Sequence, residues 1–360
     1  MSSHRVSQSL PSTPTHAGST AIRAPSLGAP PMGRTAPPRR SAGGGRVGVV
    51  SACVVGLLVA SPASAGEGPW TVSAGDHTLY LGGDWGRWQD YRGGSGDPQS
   101  LGPGVSRGGG LGVWTAGIRE GLDVEISVPF QTVRVDDPQA ANCTGAPRAG
   151  WCATTQGVGR MSLMAKLRLV DEVFRPPVTL SLVGGLETGE HTARYRGRLT
   201  NLGEGQSDAL AGISMGHSSR AGDQGGWFRA HLTALAALRA GLVGEGFDKV
   251  PGNELRAQAG AMWSPRGHVG IGLGAYGFHR LSGDDIGDVS LDSPNGFAQL
   301  ASTQVSAGLK VHVASEHHMP SLNVSVFRSV VARNAPSDEL TVGAGLGWNF
   351  PRIRDDPFEP

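Results

Sequence analysis

Between Asp338 and Phe350 every second residue is apolar. Leu340, Val342, Ala344, Leu346, Trp348 and Phe350 alternate with Thr341, Gly343, Gly345, Gly347 and Asn349. Side chains on a strand point to opposite faces in turn, so this stretch predicts a strand with one apolar and one small or polar face. The pattern returns along the chain. Leu122, Val124, Ile126, Val128 and Phe130 alternate with Asp123, Glu125, Ser127, Pro129 and Gln131. Met161, Leu163, Ala165, Leu167 and Leu169 alternate with Arg160, Ser162, Met164, Lys166 and Arg168. Leu255, Ala257, Ala259, Ala261 and Trp263 face away from Glu254, Arg256, Gln258, Gly260 and Met262. Val305, Ala307, Leu309, Val311 and Val313 do the same against Ser306, Gly308, Lys310 and His312.

Twelve strands are predicted, near 77–90, 109–119, 122–134, 157–170, 177–188, 206–218, 226–240, 252–263, 267–280, 298–314, 320–333 and 338–350. Residues 230–240 are rich in Ala and Leu, which favours helix, yet Arg229, His231, Thr233 and Arg239 share one side of the alternation. A strand is predicted there too. The stretch 109–119 alternates least clearly.

The connections alternate long and short. Long ones fall near 91–108, 135–156, 189–205, 241–251 and 281–297, and short ones near 120–121, 171–176, 219–225, 264–266 and 315–319. A spanning β-barrel has short periplasmic turns and longer extracellular loops. The first connection is long, so the first strand is expected to run outward and both termini to lie in the periplasm.

A soluble β-sandwich also alternates apolar and polar. The predicted strands, at ~11–15 residues, exceed the ~5–6 usual in globular sheets and suit a tilted crossing of hydrocarbon. Aromatics also gather on the apolar face at strand ends: Phe228, Trp263, Trp348 and Phe350 on the periplasmic side, Phe130 on the other. Such residues form interfacial girdles. A bilayer cannot solvate an open sheet edge, so the sheet must close. The expected fold is all-β: a closed antiparallel transmembrane β-barrel of about twelve strands. Strict alternation then turns Arg328 toward lipid, which requires either a place near the outer interface or a bulge at Val326-Phe327.

Composition agrees with this reading. The 360 residues include 57 Gly and carry a net charge of +1, with no electrostatic footprint for nucleic acid. Mean hydropathy is −0.17. No apolar run beyond the N-terminal region approaches the ~18 residues of a membrane helix.

Residues 1–45 are rich in Ser, Pro, Gly and Arg and show no period. Arg39, Arg40 and Arg46, an apolar run from Val47 to Ala60, and Ala63-Ser64-Ala65 follow. This order is that of a secretory signal, with cleavage after Ala65. The expected domains are 1–65, an extension plus signal peptide; 66–350, the barrel; and 351–360, a periplasmic tail. Removing the signal leaves Cys143 and Cys152 in the longest outer loop. An even count in an exported chain predicts a disulfide between them, stabilising by roughly 2–3 kcal/mol.

Three segments resemble the outer-membrane family labelled MetA-pathway of phenol degradation. They are residues 117–130, residues 157–172, and Leu186-Glu187-Thr188-Gly189 with the later Gly203-Glu204-Gly205-Gln206-Ser207-Asp208. Glu187 stands where that family's turn usually has Pro. The resemblance implies a barrel linked to passage of small, often aromatic, organic compounds.

With the polar face inward, the lumen would hold Asp123, Glu125, Arg160, Lys166, Arg168, Glu187, Asp208, Arg229, His231, Arg239, Glu254, Arg256, Lys310 and His312. Glycines at 270, 272, 274, 343, 345 and 347 would leave free cross-section. A restricted aqueous or amphipathic passage follows, wider than an eight-strand barrel and narrower than a ~16-strand porin. Charges that instead pair across the wall would block flow and make a structural or adhesive barrel.

A third reading is a lipid hydrolase, on Met215-Gly216-His217-Ser218-Ser219-Arg220. The Asn-Gly usual after such a serine is missing, and the segment falls at a periplasmic turn. No catalytic residue, cofactor or metal site is expected. His317-His318 beside Glu316 offers too few ligands, and Asp284, Asp285, Asp288 and Asp292 lack EF-hand spacing. The expected partners are outer-membrane lipid, the barrel-assembly machinery and a small organic solute. The expected location is the bacterial outer membrane.

Overall fold

The computed structural model describes residues 68–92, 98–135, 154–172, 177–188, 207–221, 226–240, 252–282, 302–314 and 320–351. Ala65, Cys143, Cys152, the acidic loop at 284–292, His317-His318 and the tail beyond Pro351 lie outside the described residues. All described strands belong to one unit, Cys53–Pro360.

The strands in chain order are β1 His77–Arg92, β2 Pro98–Arg119, β3 Leu122–Val135, β4 Thr154–Val158, β5 Ser162–Val170, β6 Thr179–Glu187 and β7 Ser207–Ala221. They continue as β8 Gly226–Ala240, β9 Glu254–Ser264, β10 Val269–Arg280, β11 Thr303–Val313, β12 Ser321–Arg333, β13 Ala335–Pro336 and β14 Leu340–Phe350. Each pairs antiparallel with its neighbour, and β1 pairs with both β2 and β14. The β1–β14 ladder runs from His77↔Phe350 to Arg87↔Leu340 and closes the sheet. With β4 and β5 as one interrupted strand and the two-residue β13 a loop bridge, the barrel has twelve strands.

The apolar face turns outward. Leu273, Leu309, Val326, Val342 and Trp85 are successive ladder partners across β10, β11, β12, β14 and β1. Leu273 is 64% exposed and Leu309 58%. A belt of this kind is far beyond the apolar patch a soluble surface carries, and is what lipid requires. Among the described residues no helix is long and apolar enough to cross a membrane. At the short-turn end Phe228 pairs with Trp263, while Trp348 and Phe350 pair with Leu79 and His77. Trp114 joins this rim, stacked on His77 at 5.6 Å between ring centres. Phe130 lies toward the opposite end. Two of the short turns have glycines with positive φ, Gly121 at 76° and Gly267 at 80°. A side chain there would strain the tight reversal.

Two features depart from the strand pattern expected from sequence, and a third decides between the two places it allowed for Arg328. The second strand begins at Pro98 rather than near 109, so the first connection shrinks to residues 93–97. Its outer part alternates poorly because β2 skips register between Val105 and Ser100 against β1. The strand expected over 157–170 is broken at Gly159–Met161. The β2 ladder runs through Leu111↔Pro129, but on the side facing β4 and β5 Pro129 has no N–H to give, and regular pairing stops there. Gly159 N instead donates to the Pro129 carbonyl at 2.9 Å, and pairing resumes at Ser127↔Ser162. Arg328 points outward without a bulge beneath it, because it pairs with Leu340 at the last rung of the β12–β14 ladder. It sits at the long-loop rim, and the register shift falls later, opposite Val305/Ser306.

Candidate functional site

The candidate site is the lumen, and its wall is only partly polar. Met164 on β5, Val183 on β6, Leu210 on β7, and Leu235 and Ala237 on β8 form a buried apolar cluster facing inward. Leu111 and Val113 of β2 make a second cluster with Tyr80 of β1. The charged residues expected in the lumen thus share it with apolar ones: β6 and β8 carry apolar residues on both faces over part of their length.

The long-loop half holds ion pairs on two sides. On β5–β10, Asp208 Oδ2 accepts from Arg160 Nη1 and Arg256 Nη2, both at 3.0 Å. Arg256 also donates to Glu187 at 2.8 Å and to Glu254 at 3.1 Å. Glu254 further pairs with Arg239 and, at 3.1 Å, with Arg280. Each acid is shared by more than one guanidinium, which makes the group interdependent. On the other side Arg107 of β2 pairs with Glu339, which accepts from Gln304 Nε2 of β11 at 2.7 Å. Above it the Tyr91 hydroxyl and Ser302 Oγ both donate to the carbonyl of Asn334.

The short-turn half contains an element that the sequence pattern does not announce. Residues 68–76, ahead of β1, run inside the barrel. Ser181 Oγ donates to the Pro69 carbonyl at 2.6 Å and Lys166 Nζ to the Trp70 carbonyl at 3.1 Å. Trp70 Nε1 donates to Glu172 at 3.3 Å, and the Val72 amide to Asp123 at 3.1 Å. Gly75 N donates to the Gly117 carbonyl at 2.8 Å, and Gly117 N to the Asp76 carbonyl at 3.0 Å. Asp123 and Lys166 thus hold this segment. Glu125 accepts from Thr115 Oγ1 at 3.3 Å. Arg168 lies at the rim, with Asp171 at 2.9 Å and Glu120 at 3.7 Å.

Between these layers lies a cavity of about 420 Å³. Aromatic side chains of Trp70, Tyr80, Trp227 and Phe327 line it together with Arg229, His231, Lys310 and His312. No residue of β5–β7 does, because the apolar cluster fills that side. The glycines do not simply widen the lumen. A β-carbon at Gly82 or Gly345 would overlap the Tyr80 ring, and one at Gly260 would touch the His231 ring. At Gly274 it would meet Lys310 and Phe327. The missing side chains let neighbouring rings lie flat against the wall.

The fourteen charged residues expected in the lumen therefore separate into three layers and a rim. Sequence reasoning missed Arg107, Arg280 and Glu339, and all the aromatics of the cavity. Alternation could have found Glu339, one residue before β14. Trp70, apolar and ahead of the first strand, was the one signal for the inserted segment. His217 Nδ1 contacts the Pro177 carbonyl at 2.7 Å, so that nitrogen is not turned to a serine.

The fold has a known counterpart. The COG4313 outer membrane channel from Pseudomonas putida F1 superposes with a TM-score of 0.57 at 14% identity, covering 78% of this chain and 98% of that one. The translocator domain of the autotransporter NalP from Neisseria meningitidis gives 0.41 at 12%, over 78% and 90%. The CymD monoaromatic hydrocarbon channel gives 0.32 at 12%, over 79% and 90%. No protein-family profile matches the sequence, and no curated protein does.

Proposed function

We infer that this chain is a channel of the bacterial outer membrane for small hydrophobic or aromatic solutes, which pass by diffusion through the lumen. The observation that carries the reading is the cavity lined by Trp70, Tyr80, Trp227 and Phe327 inside a barrel with an apolar outer belt. A passage for ions alone has no use for such walls, whereas apolar solutes gain from burial against them. The COG4313 counterpart is an outer membrane channel, which supports the same role.

The family resemblance at residues 117–130 and 157–172 supports kinship with the MetA-pathway barrels and fits aromatic solutes. The reading also takes Ala65 as the cleavage site, 66–350 as the barrel domain and Cys143–Cys152 as a disulfide clamp in an outer loop. Insertion would rest on the barrel-assembly machinery. The chain is read as a non-enzyme, without cofactor.

The test is reconstitution of the purified protein in liposomes and planar bilayers with a panel of solutes. Solute-dependent uptake, with aromatic solutes favoured over sugars of equal size, is the expected result. A closed baseline with no uptake of any solute would overturn it. The second reading, a structural barrel without transport, draws on residues 68–76 lying across the short-turn mouth and on the ion pairs of the outer half.

A further inference from the structure

The charges around the cavity are unevenly provided for. Six arginines of the lumen or its rim each have a carboxylate partner: Arg107 with Glu339, Arg160 and Arg256 with Asp208, Arg168 with Asp171, and Arg239 and Arg280 with Glu254. Arg229 differs. Its guanidinium lies between two indoles, 5.4 Å from the Trp70 ring centre and 5.3 Å from that of Trp227. Among the described residues it makes no ion pair or hydrogen bond. Glu172, nearest in charge, already accepts from Trp70 Nε1 and from the Ser218 amide at 2.8 Å.

Other basic groups stand close by. His231 is on the same strand, and Lys310 and His312 are on β11. The two strands between, β9 and β10, present Gly260, Gly270, Gly272 and Gly274, with the flexible Met262 side chain lying over Gly270 and Gly272 as the floor between the two basic sides. Trp227 reaches across this glycine trough to His312, with ring centres 6.3 Å apart. Lys310 Nζ sits 5.8 Å from the Phe327 ring centre. Of the acids lining the cavity, Glu125 is bonded to Thr115 and lies beside Lys166, and Asp84 lies in the field of Arg107.

A planar cation held by stacking keeps its N–H edges for a ligand. A guanidinium edge matches a carboxylate in two parallel hydrogen bonds, which a neutral hydroxyl cannot form. Flanking rings offer stacking to a flat apolar body. The volume of about 420 Å³ falls in the range of small-molecule sites.

We propose that the cavity is a binding site for aromatic carboxylates, with the carboxylate on Arg229 and Lys310 and the ring against Trp70, Trp227 and Phe327. This rests on the channel reading and names the solute class for it.

The test uses the full-length protein in lipid nanodiscs, with tryptophan emission as the readout and benzoate, benzyl alcohol and benzylamine as probes. Acetate serves as a control for the anion alone. Benzoate is expected to bind about tenfold more tightly than benzyl alcohol, and acetate and benzylamine more weakly still. In Arg229→Gln the ratio of acid to alcohol affinity should fall to near one. Lys310→Met should lower the same ratio, and it carries the test if the first variant does not fold. Equal binding of acid and alcohol, tighter binding of the amine, or a preference untouched by both variants would overturn the anion site. Entry of benzyl alcohol into liposomes in that event would leave the channel reading standing. If no probe binds or enters, both fall.

Discussion

Asp208 and Glu254 each hold three arginines of the outer network, and in Asp208 a single carboxylate oxygen receives Arg160 and Arg256 and lies 3.9 Å from Arg239. The Asp208 side chain has no exposure at all. Removing one partner from a buried ionic group leaves the others uncompensated, and the usual loss is about 3–5 kcal/mol. Asp208→Ala should therefore lower the temperature at which the barrel changes gel mobility, and by clearly more than Glu120→Ala at the exposed rim. Arg328 makes the opposite case. A lipid-facing arginine costs ~2–4 kcal/mol at the midplane but only ~0–1 near an interface. Its place at the last β12–β14 rung puts it in the second class. Arg328→Leu should shift the same transition by no more than its error, and a large stabilisation would place that rung deeper in the bilayer.

At the scale of strands, glycine and ring act as one unit. A valine at Gly345 would drive the Tyr80 ring off the wall and into the cavity, since both cannot occupy the space. Gly345→Val should then cut conductance in planar bilayers while the barrel still forms, and the double change with Tyr80→Ala should restore it. The twelve strands were legible from period two because lipid makes one face of each strand apolar whatever the other does. The interior was not. Alternation puts Leu235 and Ala237 on the same side as Arg229 and Arg239, but it could not say that they pack there on Met164 and Val183. Arg107 and Glu339 are far apart in sequence and meet only because closure brings β14 beside β1 and β2. Pairing of that kind depends on register around the whole ring, which no local pattern holds. The break at Gly159–Met161 had a visible cause in Pro129, but its position depends on which strand faces that proline.

At the scale of the molecule, the lumen is layered: ion pairs toward the long loops, a cavity below them, and residues 68–76 across the short-turn end. Any solute crossing the barrel along its axis must pass that last layer or displace it. The segment is held by a few defined bonds, so its hold can be weakened from the wall without altering the segment itself. Gly117 is the place to do so. It exchanges backbone bonds with Gly75 and Asp76, and a β-carbon there would overlap the Ser73 carbonyl. Its own side chain would point into the lumen, away from the β1 and β3 ladders, so the sheet should keep its register. Gly117→Val is therefore expected to raise single-channel conductance and to make Trp70 more accessible to an aqueous quencher added on the short-turn side. Lys166→Met, which removes the bond to the Trp70 carbonyl, should move both readings the same way by a smaller amount. Unchanged conductance with a newly accessible Trp70 would mean that the segment leaves its seat without being the barrier, and the narrowest point would then lie at the paired charges of the outer half.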